Sequence, residues 1–272
     1  MLVNGPGTFL LGVGCQKGGT AWLHRYLEAS PQVDPGFRKE YHVWDSLDLA
    51  SGRLARERIE AQGGPRAQFL AEPDSYFDYF TGLLDRPGIR LTADITPGYA
   101  ALPVSRLAMV RSGFEERGVR PVAAYLLRDP VERIWSHLRM QAQRFPTMFK
   151  QQPLPEVLLE RHTDANYALR TRYDHTIAAL DEAFDPDAVY YGFYEDLFTR
   201  ERMEEICAFL GIDFVEPEFD VRRNASERPA ETVPDDTVRA VATHFADVYD
   251  AVAARFPNRD LEALWPSARF AR

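Results

Sequence analysis

The order of apolar and polar positions along the chain predicts strands and helices in alternation. The apolar run Thr8–Gly14 ends in glycine and is typical of a buried parallel strand. A helix is predicted from Thr20, because apolar residues then recur at helical spacing until Ser30 and Pro31 stop it. Further strands are predicted at residues 90–95, 120–127 and 188–193, each separated from the next by helical stretches.

Later segments complete this pattern. Residues 203–210 and 238–252 each carry apolar positions at helical spacing and are each predicted to form one packing helix. The polar stretch 53–66 is expected to be a surface insertion, and the charged segment 216–234 is expected to be a mobile loop that acts as a lid. The alternation predicts an α/β fold with a central parallel sheet, in a single domain over residues 1–272.

The first candidate site follows the first strand. The run Gly14-Cys15-Gln16-Lys17-Gly18-Gly19-Thr20-Ala21-Trp22 is a glycine-containing turn that leads directly into a helix. Backbone N–H groups, the helix N-terminus and Lys17 together favour an anion there. The lysine stands before the glycines, whereas the Walker A pattern of nucleoside triphosphatases requires Gly-Lys-Ser/Thr. A structural turn with a solvated lysine is the alternative.

The second candidate site follows another predicted strand. Residues 125–137 read Tyr-Leu-Leu-Arg-Asp-Pro-Val-Glu-Arg-Ile-Trp-Ser-His, a strand end followed by a helix start. Pro130 fits the first helical turn. Arg128 and Ser136 are expected to converge on a second anion, since ligands bind outside the carboxyl ends of parallel strands. Two anion sites indicate one elongated ligand.

Composition and charge limit the partners. The chain has 32 basic and 41 acidic residues and a net charge of −9, which disfavours nucleic acids and anionic membranes as partners. Its 2 cysteines are too few for a disulfide framework. No signal segment and no apolar run long enough to span a membrane is present, so a cytoplasmic location is expected.

The two sites together resemble the PAPS-dependent sulfotransferase family. The resemblance rests on residues 17–22 as the 5′-phosphosulfate loop and on residues 128–133 with Ser136 as the 3′-phosphate motif. Weaker similarities cover most of the chain. They are Lys39-Glu40 with His42 and Trp44-Asp45, Thr96-Pro97-Gly98-Tyr99, Tyr194-Glu195-Asp196-Leu197, Phe209-Leu210-Gly211 and Asn224-Ala225-Ser226.

The resemblance implies a P-loop-like, three-layer α/β/α fold, PAPS as sulfuryl donor, PAP as product and no metal. It implies that Lys17 acts at the 5′-phosphate and bridging oxygen, and that Arg128 and Ser136 hold the 3′-phosphate. The remaining residues assigned to the cofactor site are Gly18, Gly19, Thr20, Ala21, Trp22, Tyr194, Arg222, Arg223 and Asn224. Ala21 stands where the family often has a second hydroxyl residue, and Ile95 where heparan-type members often have lysine.

The family divides between glutamate and histidine as general base. We expect Glu40 in this role, with its pKa raised toward neutrality beside an apolar pocket, and His42 as the second candidate. The other histidines are expected to be structural or exposed. Aromatic residues between positions 37 and 80, and apolar residues at 140–149, either line an acceptor pocket or belong to the core.

The sequence therefore predicts transfer of a sulfuryl group from PAPS to a hydroxyl or amine of a small, largely apolar acceptor, in secondary metabolism. Two other classes remain: a P-loop kinase that uses ATP and Mg²⁺, and a catalytically idle nucleotide-binding protein. The acceptor's identity and the oligomeric state stay open.

Overall fold

Parallel strands form the centre of the fold in a computed structural model that describes residues 7–149, 152–217 and 232–271. Within these ranges the sheet has five strands in the order β2-β3-β1-β4-β5, and every neighbouring pair is parallel. The strands are β1 (Thr8–Gly14), β2 (Val33–Asp34), β3 (Leu91–Ile95), β4 (Arg120–Leu127) and β5 (Val189–Phe193).

Helices cover both faces of this sheet. They are α1 (Thr20–Glu28), α2 (Trp44–Asp48), α3 (Arg53–Gln62), α4 (Pro65–Ala71), α5 (Asp74–Leu84), α6 (Val104–Glu115), α7 (Pro130–Arg144), α8 (Leu154–Arg161), α9 (Ala165–Ala168), α10 (Tyr173–Ala183), α11 (Arg200–Leu210), α12 (Asp235–His244), α13 (Ala246–Arg255) and α14 (Leu261–Leu264). Short 3₁₀ helices lie at Ala50–Gly52, Pro97–Ala101, Leu169–Thr171, Pro186–Ala188 and Pro266–Phe270. In the part of the chain that the structure describes, no helix is both long and apolar enough to cross a membrane.

Successive side chains of the central strands point to opposite faces, and both faces are buried. Phe9 and Leu11 of β1 belong to one apolar cluster, whereas Leu10 belongs to a second cluster on the other face. The second cluster includes Leu23 of α1 and Met203 of α11. This arrangement confirms the predicted three-layer α/β/α fold with a central parallel sheet.

The prediction of one unbroken helix near the C-terminal end is wrong. The segment expected as a single helix over 238–252 is divided into α12 and α13 at Phe245. The backbone N–H of Phe245 bonds to the carbonyls of both Val241 and Ala242, and its ring is buried. The chain turns there because the tighter bond and the buried ring replace the regular helical geometry.

Strand order positions the candidate sites. β2 and β3 lie on one side of β1, and β4 and β5 lie on the other. The carboxyl ends of β1 and β4 therefore flank the point where the direction of winding reverses, which is where open parallel sheets bind ligands. Both predicted anion loops begin at these two strand ends.

Candidate active site

The loop between β1 and α1 has the backbone that close approach to an anion requires. Lys17 and Gly19 have positive φ angles of 72° and 96°, and Gly19 precedes the first residue of α1, which therefore has no side-chain cap. A Cβ at Gly18 would lie 2.7 Å from the carbonyl oxygen of Leu126 in β4, so this position requires glycine. The N–H groups at the start of α1 thus have no side-chain acceptor at their end of the helix.

Cations converge on this loop although the chain as a whole is acidic. Lys17 is partly buried, with Nζ 3.7 Å from Sδ of Met140. Burial, followed by the positive charges of Arg128 and Arg139, lowers the pKa of Lys17. A group of like charges held together in this way favours a polyanionic ligand between them.

The loop after β4 joins the first loop directly. Arg128 is buried, and its Nη1 donates to the backbone carbonyl of Lys17 at 3.0 Å. Its guanidinium lies 4.2 Å from the ring centroid of Tyr194, and its Nη2 lies 3.5 Å from the exposed carboxylate of Glu132. Among the described residues the buried Nε of Arg128 has no hydrogen-bond partner.

The neighbouring Asp129 is structural. It caps α7 by accepting from the N–H of Val131, and it accepts from the Tyr249 hydroxyl at 2.9 Å. Its second oxygen accepts from the backbone N–H of Ser267. Asp129 therefore ties the C-terminal segment to the loop that carries Arg128, which excludes a solvated surface pair of the two.

The second arginine of this motif points elsewhere. Arg133 is fully buried and donates from Nη2 to the carbonyl of Tyr167 at 2.9 Å. Burial lowers the pKa of the nearby His137 to about 3, and the charge of Arg133 acts in the same direction. His137 is therefore neutral at pH 7, which agrees with the expectation of a structural role.

Four of the other predicted cofactor residues lie in the helices that follow the two loops. Thr20 and Ser136 are buried in the first turn of α1 and in α7. Ala21 follows in α1, and Trp22 stacks on Tyr26 with a centroid separation of 5.8 Å. Arg222, Arg223, Asn224 and most of the expected lid 216–234 lie outside the described residues.

The two base candidates lie in one strained segment before α2. Glu40 and His42 have φ angles of 60° and 55°, a left-handed conformation that non-glycine residues seldom adopt. Lys39 forms an ion pair with Glu40. His42 contacts Asp45 through Nδ1 at 2.7 Å and approaches Glu40 through Nε2 at 3.6 Å.

The expected rise in the pKa of Glu40 is wrong. Burial does act to raise it, but the contact with His42 and the charge of Lys39 outweigh burial and lower the pKa to about 2. The same contacts act in reverse on His42: burial would lower its pKa, yet Asp45 and Glu40 raise it to about 9. At neutral pH Glu40 is a carboxylate and His42 an imidazolium.

A buried carboxylate behind this segment was missed by the sequence analysis. Asp94, in β3, accepts hydrogen bonds from the hydroxyls of Tyr76, Tyr99 and Thr96 at 2.9, 2.8 and 2.6 Å. The Tyr99 hydroxyl also accepts from the N–H of Val43 at 3.1 Å. Burial raises the pKa of Asp94 to about 6 against these hydrogen bonds. The network fixes the residue that directly follows His42.

The aromatic residues considered for an acceptor pocket are mostly core residues. Tyr41, Trp44, Tyr76 and Phe80 are fully buried and contact one another edge to face. Phe69 and Phe77 belong to the same cluster. Phe37 is 48% exposed, and beyond the end of α7 Phe145 and Met148 are 48% and 53% exposed.

Comparison with known proteins gives a match in structure. No protein family and no curated protein sequence matches the chain. A solved sulfotransferase from Alicyclobacillus acidocaldarius superposes over 94% of this chain and 97% of its own, with a TM-score of 0.63 and 20% identity. The sulfotransferase domain of the Synechococcus PCC 7002 olefin synthase gives a TM-score of 0.46 at 17% identity, over 90% of this chain and 96% of that domain. The sulfotransferase domain of the curacin biosynthetic pathway gives a TM-score of 0.42 at 18% identity, over 84% of this chain and 81% of that domain.

The agreement with the Alicyclobacillus structure extends over nearly the whole length of both chains. It confirms, at the level of the fold, the resemblance drawn from the two loop motifs. The protein therefore has the fold of the sulfotransferases.

Proposed function

We propose that the protein transfers a sulfuryl group from PAPS to a hydroxyl or amine of a small acceptor. The observation that carries this proposal is the direct contact between the two anion loops, made by Arg128 Nη1 and the carbonyl of Lys17 at 3.0 Å. One ligand with phosphate groups at both ends fits the pair of loops better than two unrelated anions would. The fold of a known sulfotransferase supports the same reaction class.

The residues present fit the two ends of PAPS. Lys17 and the uncapped N–H groups of α1 suit the 5′-phosphosulfate, where the ammonium would offset charge that develops on the leaving oxygen. Arg128 and Ser136 suit the 3′-phosphate. The buried Nε of Arg128 lacks a hydrogen-bond partner among the described residues. Nη2 of Arg128 is placed to exchange the carboxylate of Glu132 for a phosphate oxygen.

Glu40 is the proposed base, and His42 is proposed to orient it. The low pKa of Glu40 keeps it ionised and able to accept a proton, whereas the raised pKa of His42 keeps that ring protonated. A carboxylate with such a low pKa is a weak base. It suits a phenol, whose proton is more acidic than that of an alkyl alcohol, and phenols are accordingly the acceptor class we favour.

The competing kinase function predicts a different ligand. In that function the loop would hold ATP with Mg²⁺, and Arg128 would have no 3′-phosphate to bind. The order Lys17-Gly18-Gly19-Thr20 places the lysine before the helix, with left-handed backbone, instead of within its first turn. This arrangement supports the sulfotransferase proposal over the kinase.

Calorimetric titration with PAP and with ATP plus Mg²⁺ separates these functions. We expect PAP to bind at least about tenfold more tightly, a difference of about 1.4 kcal/mol. Tighter binding of ATP with Mg²⁺ would instead favour the kinase, and binding of neither would show that the loops are structural.

Transfer of radiolabelled sulfate from PAPS to a panel of phenols then distinguishes an enzyme from an idle binding protein. We expect Lys17→Ala to lower the rate by about 10²–10³-fold, the effect typical of removing one stabilising charge from a transition state. Glu40→Gln is expected to lower the rate while PAP affinity is retained. Turnover in the wild type that neither substitution reduces would contradict the assigned roles.

A further inference from the structure

We propose that Arg170 binds an anionic group of the carboxylate class on the acceptor, so that the acceptor is a phenol or alcohol with one negative charge. The inference rests on the proposed function, because it places the acceptor hydroxyl at Glu40. It adds a specificity-determining residue that lies in neither of the two anion motifs.

Arg170 is held beside the 5′ loop by its backbone and by one hydrogen bond. It lies in the 3₁₀ helix Leu169–Thr171, which packs against the 3₁₀ helix Pro97–Ala101 after β3. Its Nη1 donates to the side-chain oxygen of Gln16 at 2.8 Å. Since Gln16 directly precedes Lys17, the guanidinium lies next to the loop on which the sulfuryl donor is proposed to bind.

Arg170 forms no direct ion pair within the described part of the chain. Its hydrogen-bonding partner Gln16 is neutral, and no ion pair to a described carboxylate is formed. Arg172, two residues further on, forms ion pairs with both Asp174 and Asp247. Arg170 is half-buried, and cations withdrawn from water in proteins are normally paired, so a guanidinium held only by an amide suits an anionic ligand.

The electrostatic surroundings of Arg170 include the proposed base. Burial, followed by the charge of Arg133, lowers its pKa, while Asp45 and Glu40 act in the opposite direction. The guanidinium therefore lies within the field of both carboxylates that contact His42. An acceptor that bridges the two residues would place its anionic group beside the guanidinium of Arg170 and its hydroxyl beside the carboxylate of Glu40.

A narrow cleft of about 10 Å³ lies beside Arg170, so the anionic group would contact the guanidinium at the entrance of this cleft and not inside it. Gly98, Ala101 and Leu169 line it together with Ser51, Ala165 and Asn166, and its lining includes no acidic side chain. Leu169 is 41% exposed and supplies apolar surface at the entrance. A Cβ at Gly98 would collide with Oδ2 of Asp45, so the residue that holds His42 lies directly behind the lining of the cleft. The exposed apolar surface of Leu169 beside the guanidinium suits a carboxylate joined to a compact apolar body.

The test compares three phenols that differ only in charge, titrated into protein saturated with PAP. The probes are 4-hydroxyphenylacetate, its neutral amide and the cationic tyramine. We expect the wild type to bind the carboxylate at least about tenfold more tightly than the amide, or about 1.4 kcal/mol. Arg170→Gln is expected to abolish this preference, Arg170→Lys to retain part of it, and Arg170→Glu to shift it toward tyramine.

Arg172→Gln is the matched control, because it removes the same charge from a paired arginine two residues away and should retain the preference. Equal affinity of the wild type for the three probes, including no binding of any of them, would overturn the inference. A carboxylate preference that persists in Arg170→Gln would also overturn it. A loss of PAP affinity in Arg170→Gln would overturn it too, because Arg170 would then support the loop that binds PAP. PAP affinity is measured first on each sample. If the wild type does not bind PAP, the proposed function fails; PAP binding without a carboxylate preference overturns only the role of Arg170.

Discussion

The left-handed backbone at Glu40 and His42 costs about 1–2 kcal/mol at each residue. The contacts of the two side chains give them opposite charges at neutral pH. His42 lies between two carboxylates, those of Asp45 and Glu40, and its pKa is raised to about 9 from an ordinary value of 6.5. A histidine whose pKa is higher in the folded state stabilises the fold below the unfolded value. This contribution is complete below about pH 6.5 and is lost as the pH rises through about 9.

We therefore predict that His42 titrates near pH 9 in the ligand-free protein. The measurement is the pH dependence of its ring resonances in NMR, assigned by their absence in His42→Gln. Glu40→Gln should lower the pKa of His42, because one of the two neighbouring carboxylates is removed while Asp45 remains. Titration near 6.5 in the wild type would contradict the charge state on which the proposed roles of both residues depend.

At the scale of elements, the β3 strand and the 3₁₀ helix that follows it hold the segment that carries Glu40 and His42. The Tyr99 hydroxyl joins Asp94 in β3 to the backbone N–H of Val43. Tyr76 donates to the same oxygen of Asp94 but makes no contact with Val43 in the hydrogen bonds of the described residues. The two tyrosines therefore differ in one respect, the link to the segment that carries His42.

We predict that Tyr99→Phe and Tyr76→Phe both lower the free energy of unfolding by about 1–3 kcal/mol, because each removes a buried hydrogen-bond partner. Tyr99→Phe alone should also shift the pKa of His42 toward its ordinary value and lower the transfer rate. Denaturant unfolding and the NMR titration provide the two readouts. Identical titrations of His42 in both variants would show that Tyr99 does not position the segment.

The elements were predicted with uneven success, for physical reasons. β4 agrees with its predicted bounds at both ends, since a run of apolar residues buried on both faces leaves a clear pattern. β2 was missed because a strand of 2 residues has no period to read. The division between α12 and α13 was missed because Phe245 fits the helical spacing even where the backbone turns.

Site residues that stand together in a sequence motif were predicted. Properties and residues that depend on packing between distant segments were missed. Lys17 and Arg128 each stand in a motif, and the structure brings the two motifs into contact. The pKa of Glu40 could not be inferred, since it depends on the orientation of the His42 ring between Glu40 and Asp45. Arg170 is distant in sequence from its partner Gln16, so no local pattern indicates it.

At the scale of the whole molecule, the charge around the two loops is opposite in sign to the net charge of the chain. The chain carries a net charge of −9, yet cations gather where the two loops meet. A local positive field within an acidic protein attracts a compact polyanion without favouring extended ones. The proposed function thus depends on one property of the complete fold, the recognition of a nucleotide by phosphates at both of its ends.

The most direct measurement of that property is the ratio of affinities for PAP and for adenosine 5′-monophosphate, which lacks the 3′-phosphate. We predict a preference for PAP of at least about tenfold in the wild type, because charge-assisted bonds to phosphate are strong. Arg128→Ala should bring the ratio close to one, whereas Glu132→Gln, which frees Arg128, should leave it intact or increase it. A ratio that Arg128→Ala does not change, or a wild type that does not bind PAP, would contradict the account.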